Sequence, residues 1–320
     1  NLFLTIKGKN NDGLNFVPQA LKKGAKYIIS SKILKNYKKN MIKVENEFMF
    51  LKKYAQLKRS YSLAKIIAIT GSAGKTSLKD LIRDLLQNFG KTHYSPKSFN
   101  NHFGVPISLS NLDIDHKYGV FEVGMSKMGE INKLSKIIQP HIGVITNIGE
   151  AHLENFKNIE GIAKAKSEII DNIKKKGTII LNRDDKFFNY LAKKAKLNEL
   201  KIVSYGQNRK SDIYPIKIYK NKYLTKMKVK VKDENLNLIF KNLNIYNVLA
   251  SLAILKELNL NLKNILHNFR NFEPSEGRGK IHNIRRYNKN FKLIDESYNS
   301  NPTSLRNAIN NFSLIKKKKT

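Results

Sequence analysis

Residues 69–77 read Ile69-Thr70-Gly71-Ser72-Ala73-Gly74-Lys75-Thr76-Ser77, between a short apolar run and an amphipathic stretch. A glycine loop that joins a buried strand to a helix N-terminus belongs in an open α/β sheet, where backbone N–H groups and the helix dipole face an anion. The preceding Ile66-Ile67-Ala68-Ile69 is short and continuously apolar, as a parallel strand covered on both faces requires. Leu78, Leu81, Ile82, Leu85, Leu86 and Phe89 then recur at helical spacing, which predicts a helix with one core-facing stripe. In that setting Gly71, Ser72, Ala73, Gly74, Lys75, Thr76 and Ser77 wrap the phosphates of a nucleotide. Lys75 reaches the β- and γ-phosphates, and the Thr76 hydroxyl takes magnesium. The pattern G-x-x-x-x-G-K-[ST] is not met in full, because Ile69 stands where its first glycine belongs; the match is to T-G-x-x-G-K-[ST]. The competing reading is a chance Gly-Lys-Thr turn, which leaves the flanking strand and helix without a purpose.

Composition narrows the class. The 320 residues suffice for two or three domains with their own cores. Zero cysteines exclude a disulfide framework, a thiolate zinc site and a cysteine nucleophile. No apolar run approaches the roughly 18 residues that cross a bilayer, and no signal-peptide pattern opens the chain. A soluble, cytoplasmic protein without membrane insertion is therefore expected. The net charge of +35 suggests nucleic acid at first sight. Its basic residues, however, are overwhelmingly lysine, spread along the chain among abundant Asn and Ile, as a bias toward AT-rich codons produces. Aromatic–basic interleaving is absent. The expectation is no nucleic-acid partner, with a general attraction for anionic substrates. Asn1 in place of Met, and the lysine run at Lys316 to Lys319 just after a helix begins, suggest an internal fragment of a longer protein.

The pattern divides into three parts. Residues 1–62 hold short strand-like runs at 2–6 and 27–30 and helical stretches at 16–23 and 47–58, and are read as a partial N-terminal α/β domain. Residues 63–272 form a doubly wound α/β domain with strands at 65–70, 120–123, 143–148, 178–182 and 202–205. Alternating residues between 212 and 240, such as Met227-Lys228-Val229-Lys230-Val231, predict antiparallel strands on its edge, and helices return at 247–258 and 262–269. Residues 273–277 read as a linker. A strand at 291–295 and a helix from Ser304 open a third, Rossmann-like domain over 273–320 that the chain does not finish.

Several residues gather around the loop on this reading. Glu122 ends a predicted strand at the sheet edge that faces ligand, where a carboxylate can hold magnesium; a solvated strand-end glutamate is the alternative. His152 follows the next such strand, as a ligand or as a structural histidine. Lys166 lies on the following helix, and in so lysine-rich a chain the residues alone favour a solvated face. Asn100-Asn101-His102-Phe103-Gly104-Val105-Pro106 reads as a recognition loop or an ordinary turn. Asp295-Glu296-Ser297-Tyr298-Asn299-Ser300-Asn301-Pro302 follows the first strand of the third part, though Asn-Pro is also plain turn chemistry.

In order, these blocks resemble the Mur ligases of peptidoglycan synthesis. Thr70-Gly71-x-x-Gly74-Lys75-Thr76-Ser77 is similar to their ATP loop. Asn100-Asn101-x-x-Gly104-Val105-Pro106, Glu122-x-Gly124, Thr146-Asn147-Ile148-Gly149-x-Ala151-His152, Lys166-x-Glu168-Ile169, Asn182-x-Asp184-Asp185 and Ser297-Tyr298-Asn299-x-Asn301-Pro302 resemble the branch that adds D-alanyl-D-alanine to UDP-N-acetylmuramoyl-tripeptide. The resemblance covers nearly the whole chain. It implies ATP-dependent amide formation through an acyl phosphate, with Lys75 stabilising the γ-phosphoryl group and two magnesium ions. Thr76 and Glu122 would hold one ion, His152 would help hold the second, and Lys166 would be carbamylated. Asn247 would lie near adenine, Arg278 and Asp295 would close onto ATP, and Asn100, Asn101, Tyr298, Asn299 and Asn301 would contact substrate. A monomer is expected, and residues 1–320 alone are expected to bind nucleotide without ligating.

Departures exist. Leu243-Asn244 stands where the family has His-Asn, Lys241 where it has glycine, and Glu296 where it prefers Asp. The rivals are an amino-acid-adding Mur ligase or folylpolyglutamate synthase, which tend to carry Tyr-Ala-His where this chain has Tyr298-Asn299-Ser300, and a nucleic-acid-stimulated P-loop ATPase.

Overall fold

The computed structural model describes residues 1–8, 10–151, 153–221, 224–241, 243–298, 305, 306, 308 and 309. The first of its three sheets is parallel, in the order β1 (Leu2–Leu4), β2 (Tyr27–Ser30), β3 (Met41–Lys43). Helix α1 (Val17–Lys22) crosses from β1 to β2, and Val17, Ile28 and Met41 form the small core. Helix α2 (Glu47–Tyr61) leads away from it, capped by Asn46, whose side chain accepts from Met49 N (2.8 Å).

The large sheet has the order β12-β11-β10-β9-β8-β7-β4-β6-β5. Strands β4 (Lys65–Thr70), β5 (Thr92–Tyr94), β6 (Tyr118–Glu122), β7 (Ile142–Ile145), β8 (Thr178–Asn182) and β9 (Lys201–Tyr205) pair in parallel. Strand β10 (Ile213–Lys220) joins β9 in parallel; β11 (Thr225–Val231) and β12 (Glu234–Phe240) extend the edge antiparallel, as the alternation predicts. Met227, Val229 and Val231 are buried, whereas Lys226 and Lys228 are exposed.

Helices α3 (Lys75–Leu86) and α8 (Ile245–Glu257) cover one face. Helices α4 (Gly104–Ser110), α5 (Glu130–Ile138), α6 (Ile159–Ser167) and α7 (Phe188–Leu197) lie with α2 on the other. The apolar run at 66–69 of β4 follows directly: Ile67 and Ile69 join the core under α3 and α8, while Ile66 and Ala68 join the opposite one. This is the doubly wound arrangement expected.

Some boundaries differ from expectation. The strand read at 143–148 stops at Ile145, because the next residues turn their backbone toward the phosphate loop: Thr146 N donates to Thr70 O, and Asn147 O accepts from Ser72 N. Gly104-Val105-Pro106 opens α4 rather than a loop, with Asn101 Oδ1 accepting from Gly104 N (2.8 Å). The helix at 262–269 is a single 3-10 turn, Leu262–Ile265, followed by the short α9 (Asn268–Asn271), which brings Phe269 and Phe272 into the core. Beyond it, β13 (Lys280–Arg286) and β14 (Lys289–Asp295) form an antiparallel hairpin in place of the one strand expected. Its two-residue turn, Tyr287 and Asn288, has φ of +51° and +53°, suited to the twist of a tight hairpin. Most of the helix expected from Ser304 lies outside the described residues. No helix among the described residues is long and apolar enough to cross a membrane.

Candidate active site

Strand register assembles the site. Ile69 pairs with Glu122 at the end of β6, and Thr70 pairs with Ile145 at the end of β7. The phosphate loop, the Glu122 carboxylate and residues 146–149 therefore leave the sheet along one carboxyl edge, where the strand order reverses around β4. The loop and Glu122 line a cavity of about 470 Å³ together with Asn100, Lys166 and Arg278.

The loop is held from behind. Gly71 (φ +145°) and Gly74 (φ +83°) adopt backbone conformations that L side chains rarely reach, and a Cβ on Gly71 would stand 1.9 Å from Thr146 Oγ1. Thr146 Oγ1 donates to Ala73 O (2.6 Å), and the Asn147 amide both accepts from Ala73 N and donates to Ala73 O (3.0 Å each). Gly149 N donates to Ser72 Oγ (2.9 Å). One layer deeper, the buried Tyr205 hydroxyl donates to Thr146 O (3.0 Å), and burial pushes this phenol far above its ordinary pKa. Tyr205→Phe leaves that carbonyl without its donor. It is expected to cost about 1 kcal/mol, or roughly 2–4 °C in melting temperature, measurable by calorimetry.

On the cavity side, Thr76 Oγ1 donates to Glu122 Oε2 (2.8 Å) and Asn100 Nδ2 donates to Oε1 (2.7 Å). Glu122 is 1% exposed, so the two bonds fix the orientation of a buried carboxylate. Lys75 Nζ donates to Gly71 O (2.8 Å). Burial lowers the Lys75 pKa, which Glu122 opposes and Arg278 reinforces. Lys166, 2% exposed, is displaced well below the ordinary lysine range, first by burial and then by the Lys75 charge. No acceptor among the described residues meets its ammonium.

The third part of the chain closes the cavity. Arg278 Nη2 donates to Thr76 Oγ1 (3.2 Å), its guanidinium lies 4.2 Å from the Tyr298 ring centroid, and Tyr298 OH donates to Ser98 Oγ (2.7 Å). Arg278 Nε is buried without an acceptor among the described residues. Lys166 aside, the described lining carries the cationic side chains Lys75, Lys133 and Arg278 against the carboxylates Glu122 and Glu130. Glu130 is already engaged by Ser126 N (2.6 Å) and Lys127 N (3.1 Å). The excess positive charge suits phosphate groups.

Of the residues expected from sequence, the structure brings Gly71, Ser72, Ala73, Gly74, Lys75, Thr76, Asn100, Asn101, Glu122, Lys166, Arg278 and Tyr298 to the cavity wall. Asn247 sits behind the loop, with Nδ2 donating to Gly74 O at 3.5 Å. Ser77 belongs to α3 and is not part of the lining. Asp295 ties its own segment, accepting from Gly277 N (2.8 Å) and Ser297 Oγ (2.6 Å). His152, Asn299 and Asn301 lie outside the described residues. The solvated face favoured for Lys166 is overturned, because α6 buries Ala163, Ala165 and Ser167 around it. The sequence does not single out Thr146 and Asn147 as braces, nor Ser98 and Lys133 as lining residues. Membership of the Thr146-Asn147-Ile148-Gly149 block is a signal for the first pair alone.

A glycine loop between strand and helix, a buried hydroxyl–carboxylate pair and surplus cations define a P-loop nucleotide-binding enzyme. Residues 69–255 match the family described as Mur ligase middle domain. The UDP-N-acetylmuramoyl-tripeptide–D-alanyl-D-alanine ligase of Rickettsia prowazekii is 35% identical over 319 residues, covering 97% of this chain and 69% of that protein. Among solved structures, MurF from Acinetobacter baumannii superposes with a TM-score of 0.87 at 30% identity, covering 99% of this chain and 69% of that one. MurF ligase from Thermotoga maritima in complex with ADP gives 0.83 at 26% identity, covering 98% and 72%. The chain belongs to the Mur ligase family, whose members are ATP-dependent enzymes that form carbon–nitrogen bonds.

Proposed function

We propose that this chain carries the ATP site and part of the substrate sites of an enzyme that joins D-alanyl-D-alanine to the terminal carboxylate of UDP-N-acetylmuramoyl-tripeptide. The observation that carries this reading is the likeness to ligases of that name over 97% of the chain. A peptide carboxylate oxygen attacks the γ-phosphorus of ATP, and ADP leaves. The D-alanyl-D-alanine amine then attacks the acyl phosphate carbonyl, loses a proton and displaces phosphate as the amide forms. Catalysis of such a transfer rests on position and charge neutralisation.

The residues fit these groups. Gly71 and Gly74 let the loop backbone pack closely on Thr146 and Asn247, and Lys75 and the Arg278 Nε, which has no acceptor among the described residues, supply donors for phosphate oxygens. The Thr76 hydroxyl and Glu122 carboxylate are hard oxygen donors of the kind magnesium takes. When bound, the ion would neutralise phosphate charge. Asn100 would keep Glu122 aimed at it, and Asn101, Tyr298, Asn299 and Asn301 would meet substrate.

Lys166 has no acceptor for its ammonium among the described residues, and its burial favours the neutral amine. A neutral amine can add to carbon dioxide: a nitrogen–carbon bond forms, one proton is lost, and the neutral amine becomes an anionic oxygen ligand. We assign Lys166 that carbamate, serving a second magnesium with His152. The protein would work as a cytoplasmic monomer without nucleic acid.

The test is phosphate release by the full-length protein with magnesium, ATP and UDP-N-acetylmuramoyl-tripeptide, varying the third addition. Release that requires both tripeptide and D-alanyl-D-alanine is expected. Release supported instead by a single amino acid or by single-stranded DNA would discard the substrate assignment.

A further inference from the structure

Two residues of α3 that the chemistry above does not use are buried beside the nucleotide site. Lys79 is 1% and Asp80 6% exposed, and they form an ion pair at 3.1 Å. Lys79 Nζ also donates to Ser95 O (2.9 Å) and Lys97 O. The outer oxygen of Asp80 has a distant partner: Ser275 Oγ, 195 residues further along, donates to Oδ2 at 2.7 Å.

The geometry forms a closed ring. Thr76 and Asp80 are four residues apart on α3 and so share one face. Ser275 and Arg278 are three apart on the segment leading into β13, and they reach that face at two points: Ser275 at Asp80, Arg278 at Thr76. Arg278 rests on Tyr298, Tyr298 donates to Ser98, and Lys79 holds the backbone of Ser95 and Lys97 just before it.

We propose that Asp80, held by Lys79, is a positioning residue that clasps Ser275 and thereby sets the Arg278 guanidinium over the phosphate loop. Ser275 is then the releasable half of the clasp, because it is less buried on its segment than Asp80 is on α3. The clasp bears on the γ-phosphate more than on the rest of the nucleotide, since Arg278 meets Thr76, the loop residue beside Lys75. It rests on the reading of Arg278 as an ATP contact and is independent of the peptide substrates.

The experiment measures the affinity of the chain for a non-hydrolysable ATP analogue and for ADP by titration, with magnesium present. Ser275→Ala is expected to weaken the analogue about three- to tenfold while changing ADP less than twofold. Ser275→Thr, which keeps the hydroxyl, is expected to stay within twofold of the original chain for both. Arg278→Ala should lower the analogue-to-ADP preference at least as much, and Ser275→Ala should add nothing in that background. Unchanged affinities in Ser275→Ala, equal losses for both nucleotides, or additive effects with Arg278→Ala would each overturn the clasp. If the ligase assignment itself were wrong, release dependent on tripeptide and D-alanyl-D-alanine would be missing from the full-length protein while these affinity ratios stayed readable.

Discussion

Lys166→Ala is expected to lower tripeptide-dependent phosphate release by about a thousandfold or more, while leaving the protein folded. A lysine that is 2% exposed, next to Lys75 and without an acceptor among the described residues, does not stabilise the fold as a cation. Its place at the cavity wall points to chemistry. The sign of the accompanying pH dependence follows from its lowered pKa. Between the folded-state value and the ordinary 10.5, the unfolded chain binds the extra proton, so stability rises with pH through that window and levels off above it. Lys166→Met should remove this slope and raise stability near neutral pH. Denaturant midpoints measured at pH 7 and pH 9 in carbon dioxide-free buffer check it; equal slopes in both proteins would sink the argument. Isotopically labelled bicarbonate offers a second check, through a carbamate resonance that the alanine variant lacks.

Removing one charge at Glu122 is the other large effect. Glu122→Gln preserves shape, and the amide can still accept from Asn100 and meet the Thr76 hydroxyl, so the fold should hold within about 1 kcal/mol. Loss of the anion beside the phosphates is expected to lower the maximal rate by about 100- to 1000-fold and to raise the magnesium concentration needed for half of it. Initial rates across a magnesium series separate these outcomes. A variant with an unchanged magnesium requirement would place the ion elsewhere.

Much of this site is legible in the amino-acid sequence, for a physical reason. A P-loop is local: strand, glycines, Lys75, Thr76 and helix are contiguous, and each carries its own signal. Glu122 is legible because strand ends on one sheet edge converge. What stays hidden depends on tertiary contact. Strand β5 is only Thr92–Tyr94, with a histidine at its centre, and has no apolar run to announce it. Strand β13 alternates weakly because its hairpin is largely exposed. Lys79 and Asp80 look like solvated charges on a helix, and only their tertiary partners, the carbonyls of Ser95 and Lys97 and the hydroxyl of Ser275, show otherwise. The burial of Lys166 contradicts what lysine abundance suggests, and only the likeness to a family points toward it.

The scattered origin of the site also has a consequence for how the chain is made. Strand β4 is made before both of its neighbours, β6 and β7, and before the residues that brace its loop. Arg278 follows Thr76 by 202 residues, which at roughly 5–20 residues per second separates their appearance by about 10–40 s. In the first part of that interval, until β6 and β7 are made, the nascent chain presents an apolar strand with two unpaired edges. ATP in the surrounding solution cannot rescue it, because a loop without Thr146 and Asn147 has no fixed shape to bind. Protection of this intermediate therefore falls to chaperones or to rapid collapse onto α2 and α3, the helices that flank β4 in the sequence.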